Sequence, residues 1–477
     1  MKPTRLKSFT LIISLIAATG VAMAAYSTDT GKSWLSALIT PTIPTAEIES
    51  GPLTLDGRLV QNKVLQGSDG KVHLALTLRA AAGFDPQSAD SRHVDMVIVL
   101  DRSGSMNGPK INDARQAVLN LLSYLSARDR FALIAYSDHV QQVTALKPVT
   151  ADHAKQIQVL VSGINAGGGT NLGAGLQTGI NVMLTAPEKG NARKVILISD
   201  GLANKGITDP TRLGRMAGVA VEKEFAVSTV GVGNDFNEQL MTTIADRGAG
   251  NYYYLENPMA FAEVFQKELF YSKATVATNV SIFFPLNDEI ALVDASGYAI
   301  EIQNGHAVFY PGDLRSGQIR KLFLTLQVPT GTTGNFELGR IKARYLFNGR
   351  PMETVLDASY KIACVKNPKE VRASIDKTSW AEKVIREDYN RLIQEVAAVI
   401  KAGKKQNALQ RIHSYYREQE SINETVDSAE VTQNLDRDLK ELRQRVEDTF
   451  QGAPAAVSQK QKANSKAMQY EGYKGRR

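Results

Sequence analysis

Between residues 93 and 273, short apolar runs alternate with stretches whose apolar residues recur at helical spacing. The runs 94–100, 130–136, 140–146, 194–199, 226–232 and 251–255 predict strands, and 111–125, 151–162, 172–185, 211–223, 237–246 and 259–271 predict helices. Alternation of this kind implies an α/β fold, a mostly parallel sheet with helices on both faces. Residues 96–100 are apolar without interruption, as suits a strand covered on both sides. Upstream, Val72, Leu74, Leu76 and Leu78 alternate with His73, Ala75, Thr77 and Arg79, which predicts a strand with one buried face; 53–55 predicts a shorter one. Two strands cannot build a core, so the segment 52–90 is expected to complete a sheet elsewhere.

After residue 273 the pattern changes. Apolar runs at 279–284, 290–293, 307–310, 321–328, 340–346 and 358–365 are split by turn residues and leave no room for helices. Residues 274–366 therefore read as an antiparallel β-sandwich, the sheet that 52–90 would join, with the domain at 91–273 inserted between them. From 367 to 450 the chain is helical. Ser379-Trp380-Ala381-Glu382 has the spacing of a capping box opening a helix that runs to Gly403, and a second helix covers 406–420. Val431, Leu435, Leu439, Leu442, Val446 and Phe450 form a narrow apolar stripe on a third helix, expected to pack on this protein. Residues 451–477 are rich in Gln, Lys and Ala and are expected to be a basic disordered tail.

The N-terminus adds a destination. Lys2, Arg5 and Lys7 precede an apolar run from Phe9 to Val21 and then Ala22-Met23-Ala24, the layout of a signal peptide over 1–24, followed by a linker over 25–51. Export to the periplasm or the medium, with or without envelope association, is the expectation. No later stretch is long and apolar enough to span a bilayer. Cys364 is the only cysteine, so no internal disulfide forms. The formal charge of +7 resides in the leader and the tail, leaving a nearly neutral body that gives nucleic-acid binding no support.

Chemistry gathers in three loops, two of them at strand ends. Asp101, Ser103 and Ser105 follow the run 96–100; Gly167-Gly168-Gly169 precedes Thr170; and the run 195–198 ends in Ser199-Asp200-Gly201. Parallel strands present their carboxyl ends on one edge, so these oxygens can converge although far apart in sequence. A donor set of carboxylates and hydroxyls without His or Cys suits Mg²⁺, or Mn²⁺ or Ca²⁺, rather than Zn²⁺. Gly231-Val232-Gly233 lacks the third glycine of a dinucleotide loop and reads as a tight turn.

Asp101-x-Ser103-x-Ser105, Thr170 and Asp200 resemble the metal-ion-dependent adhesion site of von Willebrand factor A domains. The resemblance covers about residues 93–273. The longer runs Asp-Arg-Ser-Gly-Ser-Met, Gly-Gly-Gly-Thr-Asn-Leu and Ile-Ser-Asp-Gly are similar to a bacterial exported branch labelled after calcium-activated chloride channel proteins and inter-alpha-trypsin inhibitor heavy chains. It implies a Rossmann-like doubly wound sheet. Ser103, Ser105 and Thr170 would touch the metal, and Asp101 and Asp200 would act through water or by holding the hydroxyls. The function it implies is metal-dependent capture of an Asp or Glu from a protein partner. Two other functions are weighed: a metal that only stabilises the domain, and a phosphohydrolase with Asp101 as nucleophile. The latter lacks its acid, because the position two residues on is Ser103. No enzyme activity is expected.

Overall fold

The computed structural model describes residues 51–83, 92–185, 190–287 and 289–475, so the expected signal peptide and all but the last residue of the expected linker lie outside the described residues. β1 (Leu53–Leu59) and β2 (Lys71–Ala80) come first. The α/β domain then supplies β3 (Val94–Asp101), α1 (Pro109–Leu122), β4 (Arg130–Tyr136), β5 (Val140–Gln142), α2 (Ala151–Ser162), α3 (Leu172–Thr185) and β6 (Ala192–Ser199). It closes with α4 (Pro210–Glu222), β7 (Ala226–Val232), α5 (Glu238–Arg247), β8 (Ala249–Leu255) and α6 (Phe261–Lys273). The sheet runs β8-β7-β6-β3-β4-β5, parallel except at β4–β5.

All eight residues of β3 are buried, because both faces are covered. Met96, Ile98 and Leu100 pack against Ile111, Val118, Ile157 and Phe265 of α1, α2 and α6. Val97 and Val99 meet Leu176, Ile180, Leu213 and Ile244 of α3, α4 and α5 on the other side. Side-chain caps start three of these helices: Thr150, Asp209 and Asn237 accept the N–H groups of His153, Arg212 and Leu240. The expected strand over 140–146 is shorter and antiparallel, with Gln142 opposite Ile134. Only three residues join it to β4, which suffices for a hairpin and is far too few for a crossover.

Beyond α6, β9 (Thr275–Pro285) and β10 (Ile319–Gln327) anchor the β-rich part. β2 lies between β1 and β10, antiparallel to both, with Leu76 opposite Leu322. Its inward residues Leu74, Leu76 and Leu78 meet Ile282, Phe284 and Ala343 from the sheet containing β9. The alternation in β2 predicts one buried face, yet Ala75 and Thr77 on the other face are buried as well. Ala75 and Phe323 are covered by helices that contribute Trp380, Val384 and Leu392. Small side chains on the outer face permit that approach, and alternation alone cannot reveal it.

The helical part comprises Lys377–Glu382 continuing through a π turn into α7 (Tyr389–Lys401), then α8 (Lys405–Val426), α9 (Leu439–Thr449) and α10 (Pro454–Gly475). The cap of the Lys377–Glu382 helix is Asp376, which accepts the Ser379 N–H at 2.8 Å; Ser379 is inside the helix, so the expected capping box does not form. The stripe Val431, Leu435, Leu439, Leu442 and Val446 is buried in the core of this part. The expected disordered tail is instead ordered through Gly475. α10 lies so near α7 that a Cβ on Gly472 would stand 2.7 Å from the Asn390 carbonyl oxygen. Its anchors are few and partly polar, which hides it from a hydrophobic pattern. Met468 and Tyr473 are buried, Tyr473 Oη accepts the Tyr252 N–H on β8 at 3.1 Å, and Lys466 Nζ donates to the Phe236 carbonyl and to Glu238. That hydroxyl and the helix occupy the outer edge of the sheet, where backbone groups would otherwise be unpaired.

Candidate metal site at the carboxyl ends of the strands

β3 ends at Asp101 and β6 ends at Ser199, paired side by side in parallel register, so both strands deliver their terminal polar residues to one edge. Two backbone bonds join the first loop to the glycine-rich loop: Gly104 N–H to the Gly168 carbonyl at 3.0 Å and Gly167 N–H to the Arg102 carbonyl at 2.7 Å. Gly168 has φ +84° and passes Asp138 so closely that a Cβ there would lie 2.4 Å from Oδ2. A glycine is needed on both counts.

The side chains converge as follows. Asp101 Oδ1 accepts the Ser103 N–H at 2.7 Å, and its Oδ2 accepts the Ser199 hydroxyl at 2.8 Å. Ser103 Oγ and Ser105 Oγ stand 3.1 Å apart, and the Ser105 hydroxyl donates to Asp200 Oδ1 at 2.7 Å. Thr170 is buried, and its N–H donates to Asn204 Oδ1 at 2.9 Å. Gly201 closes the group: a Cβ on it would lie 3.2 Å from Ser105 Oγ and 3.7 Å from Thr170 Oγ1. All five sequence-predicted residues are thereby brought to one place, and the missing side chain at 201 leaves the hydroxyls uncrowded.

Electrostatics mark the same spot. Asp101 and Asp200 are both fully buried. Burial pushes the Asp101 carboxyl up to about 6, against the pull of the Ser103 and Ser199 hydrogen bonds and helped by the neighbouring Asp200 charge. Burial, then the Asp101 charge, also holds the Tyr136 phenol well above its ordinary value; that hydroxyl donates to the Ile198 carbonyl at 2.8 Å and lies 3.4 Å from Asp101 Oδ2. Two buried carboxylates with hydroxyls between them form a place where a cation is welcome. One cation of the chain is already at its border: Lys110 Nζ stands 2.5 Å from Asp200 Oδ2 and 3.3 Å from the Ser105 carbonyl oxygen.

The donor chemistry fits a hard divalent ion, oxygen throughout and mixed in charge. Among the described residues no group of three or more His, Cys, Asp or Glu side chains gathers, so a carboxylate- or nitrogen-rich centre has no residues to build it. Lys110, Tyr136, Ser199 and Asn204 are residues that sequence reasoning missed. Ser199 adjoins Asp200 in the same motif and was legible in principle, whereas Lys110, in the first turn of α1, carries no local signal.

Comparisons agree with this architecture. The family model for the von Willebrand factor type A domain matches residues 95–267. An uncharacterized Escherichia coli protein, YfbK, is 31% identical over 205 residues, which is 43% of this chain and 35% of that protein. Human inter-alpha-trypsin inhibitor heavy chain H4 is 29% identical over 168 residues, 34% of this chain and 18% of that one. This chain thus spans well under two thirds of either relative. Among solved structures, a von Willebrand factor type A protein from Catenulispora acidiphila superposes with a TM-score of 0.68 at 17% identity, covering 90% of this chain and 98% of its own. The ArnB paralog VWA2 from Sulfolobus acidocaldarius gives 0.55 at 18% identity, covering 88% and 98%. At such identities the likeness speaks for the fold, and its coverage extends over the β-rich and helical parts. The segment from Asp95 to Lys267 is a von Willebrand factor type A domain.

Proposed function

We propose that this is an exported, non-enzymatic binding protein that captures an acidic residue of a protein partner through Mg²⁺ held by Asp101, Ser103, Ser105, Thr170 and Asp200. The observation that carries the reading is the linked set from three loops: Asp101 accepts the Ser103 N–H, Ser103 Oγ meets Ser105 Oγ, Ser105 donates to Asp200, and Ser105 and Thr170 both lie beside Gly201. Ser103, Ser105 and Thr170 would supply hydroxyl oxygens directly. Asp101 orients the first loop through the Ser103 N–H, and Asp200 holds Ser105 by its hydroxyl. When bound, the ion would offer a Lewis-acidic position to an incoming carboxylate, because neutral hydroxyls leave its charge largely uncompensated. The Ser105 and Ser199 hydroxyls donate to Asp200 and Asp101, which hold them in place as ligands, and among the described residues no histidine hydrogen-bonds to either hydroxyl, which favours binding over hydrolysis. The leader at 1–24 supports export.

One observation favours a second reading, a metal that only stabilises the domain: Asp101 and Asp200 are entirely buried, and Lys110 already partners one of them. Three measurements on the full chain separate the two. They are calorimetric titration with Mn²⁺ and Mg²⁺, capture of partners from envelope extract with Mg²⁺ or with chelator, and a thermal melt of each sample. Thr170→Ala is the cleaner variant, since Asp101→Ala also removes the acceptor of the Ser103 and Ser199 hydrogen bonds. Capture that depends on Mg²⁺ and fails in a folded Thr170→Ala protein is the expected result. Capture indifferent to chelator refutes the adhesion reading, and capture lost only together with folding favours the structural one.

A further inference from the structure

A cavity of about 180 Å³ lies on the side of the molecule where β8, α6, the 313–320 segment and α10 meet. Five cationic side chains line it, Lys194, Lys267, Arg315, Arg320 and Lys474, against a single carboxylate, Asp313. Two of the cations have other work. Lys194 sits 3.5 Å from the buried Glu268, and Arg320 donates to the carbonyls of Pro311, Gly312 and Asp313. Asp313 in turn accepts the Asn279 N–H.

The remaining three have aromatic rings and no carboxylate. The Arg315 guanidinium carbon is 3.6 Å from the centre of the Tyr271 ring, Lys267 Nζ is 5.7 Å from that same ring, and Lys474 Nζ is 5.5 Å from the Tyr470 ring. None of the three forms an ion pair with a carboxylate among the described residues. Rings satisfy a cation only in part, and two positive charges sharing one ring repel each other. The phenols of Tyr271 and Tyr470 line the cavity as well, whereas the Tyr253 hydroxyl is committed to Glu268. With a liquid-like share of about 30 Å³ per water, the space takes about six waters, or one oxyanion of five heavy atoms with its hydration.

We propose that this seam is a binding site for a tetrahedral oxyanion, phosphate or sulfate, with Lys267, Arg315 and Lys474 as its charged ligands. A guanidinium and two ammonium groups donate charge-assisted hydrogen bonds, and the anion cancels their mutual repulsion. The ligands come from the A domain, the β-rich part and the C-terminal helix, so the anion would fasten all three. The same chemistry is offered by a free ion or by the phosphate end of a larger molecule. It is independent of the metal site, whose residues lie on other loops.

The test is calorimetric titration of the full chain, in chelator so that the metal site takes no part, with inorganic phosphate, sulfate and glycerol 3-phosphate. Each is repeated on Lys267→Gln, Arg315→Gln, Lys474→Gln and, as a charge-matched control on α2, Lys155→Gln. A melt of each variant without anion verifies folding, and Lys474→Gln, at an exposed residue whose ammonium lies over the Tyr470 ring, keeps the test open if Arg315→Gln unfolds. Saturable one-to-one binding is expected, weakened at least fivefold by each seam variant and unchanged in the control. Binding of glycerol 3-phosphate without the free ions would support the site and identify an end group as its ligand. Absence of saturable binding to all three probes, or equal affinity in wild type and seam variants, overturns the proposal.

Discussion

Lys110→Met tests the electrostatics of the metal site directly. The ammonium lies 2.5 Å from Asp200 Oδ2, with the lysine side chain 26% exposed and the aspartate fully buried. Exposed pairs contribute about 0–1 kcal/mol, and stripping one partner from a fully buried pair costs about 3–5 kcal/mol. This pair falls between the two, so the variant should lose about 2 kcal/mol of stability in chelator, where Asp200 is left buried without its counter-charge. A divalent cation and the ammonium both seek that carboxylate and repel each other. Binding linkage then requires that the variant hold Mg²⁺ more tightly by the same amount, about thirtyfold. The stability deficit should therefore vanish as Mg²⁺ saturates the site. Urea unfolding with and without Mg²⁺, together with calorimetric Mg²⁺ titration of both proteins, measures every term. A variant as stable as wild type in chelator, or one whose deficit and affinity ignore Mg²⁺, would refute the reasoning.

Three further outcomes follow from packing and burial. His73 on β2 is held neutral, its pKa pushed down to about 2 by burial and by Lys383, Arg391 and Lys71. The depressed folded-state value means that its contribution is intact above about 6.5 and declines as pH falls towards 2, by at most about 1.4 kcal/mol per pH unit. Chemical unfolding between pH 7 and 5 should show this slope in wild type and lose it in His73→Gln, and equal slopes would contradict it. Gly179→Ala should lower the melting temperature, at about 1–3 kcal/mol, because the new Cβ would lie 2.5 Å from Val99 Cγ2 beneath α3. Met468→Ala should cost about 2–5 kcal/mol, as expected of a fully buried methionine in α10, and a neutral result in a melt would restore the disordered tail.

Much of the A domain was legible in the chain because its signals are local. An unbroken apolar run such as 96–100 needs two covered faces, and a parallel sheet has to place the ends of 94–101 and 192–199 on one edge. Asp101 and Asp200 could thus be placed side by side before any distance was known. Other features depended on partners distant in sequence. Ala75 belongs to a strand whose alternation describes one face, and its burial comes from helices some three hundred residues later. The cap at Asp376 beat Ser379 by offering its carboxylate three residues earlier, a choice that local spacing leaves open.

The tail is the clearest case. Composition reads residues 451–477 as solvated, because lysines, glutamines and alanines cannot form a hydrophobic stripe. Tertiary structure supplies what composition lacks: a carboxylate and a carbonyl for Lys466, a backbone N–H for the Tyr473 hydroxyl, and a close approach at Gly472. Lys110 belongs to the same class, an ordinary helix residue in sequence whose position 2.5 Å from Asp200 exists only once α1 is packed beside the end of β6. Sequence by itself determined that Asp101 and Asp200 share one edge of the sheet, since strand direction dictates it. Only the packed structure decided which charges border them, because long side chains reach across contacts that no spacing along the chain encodes.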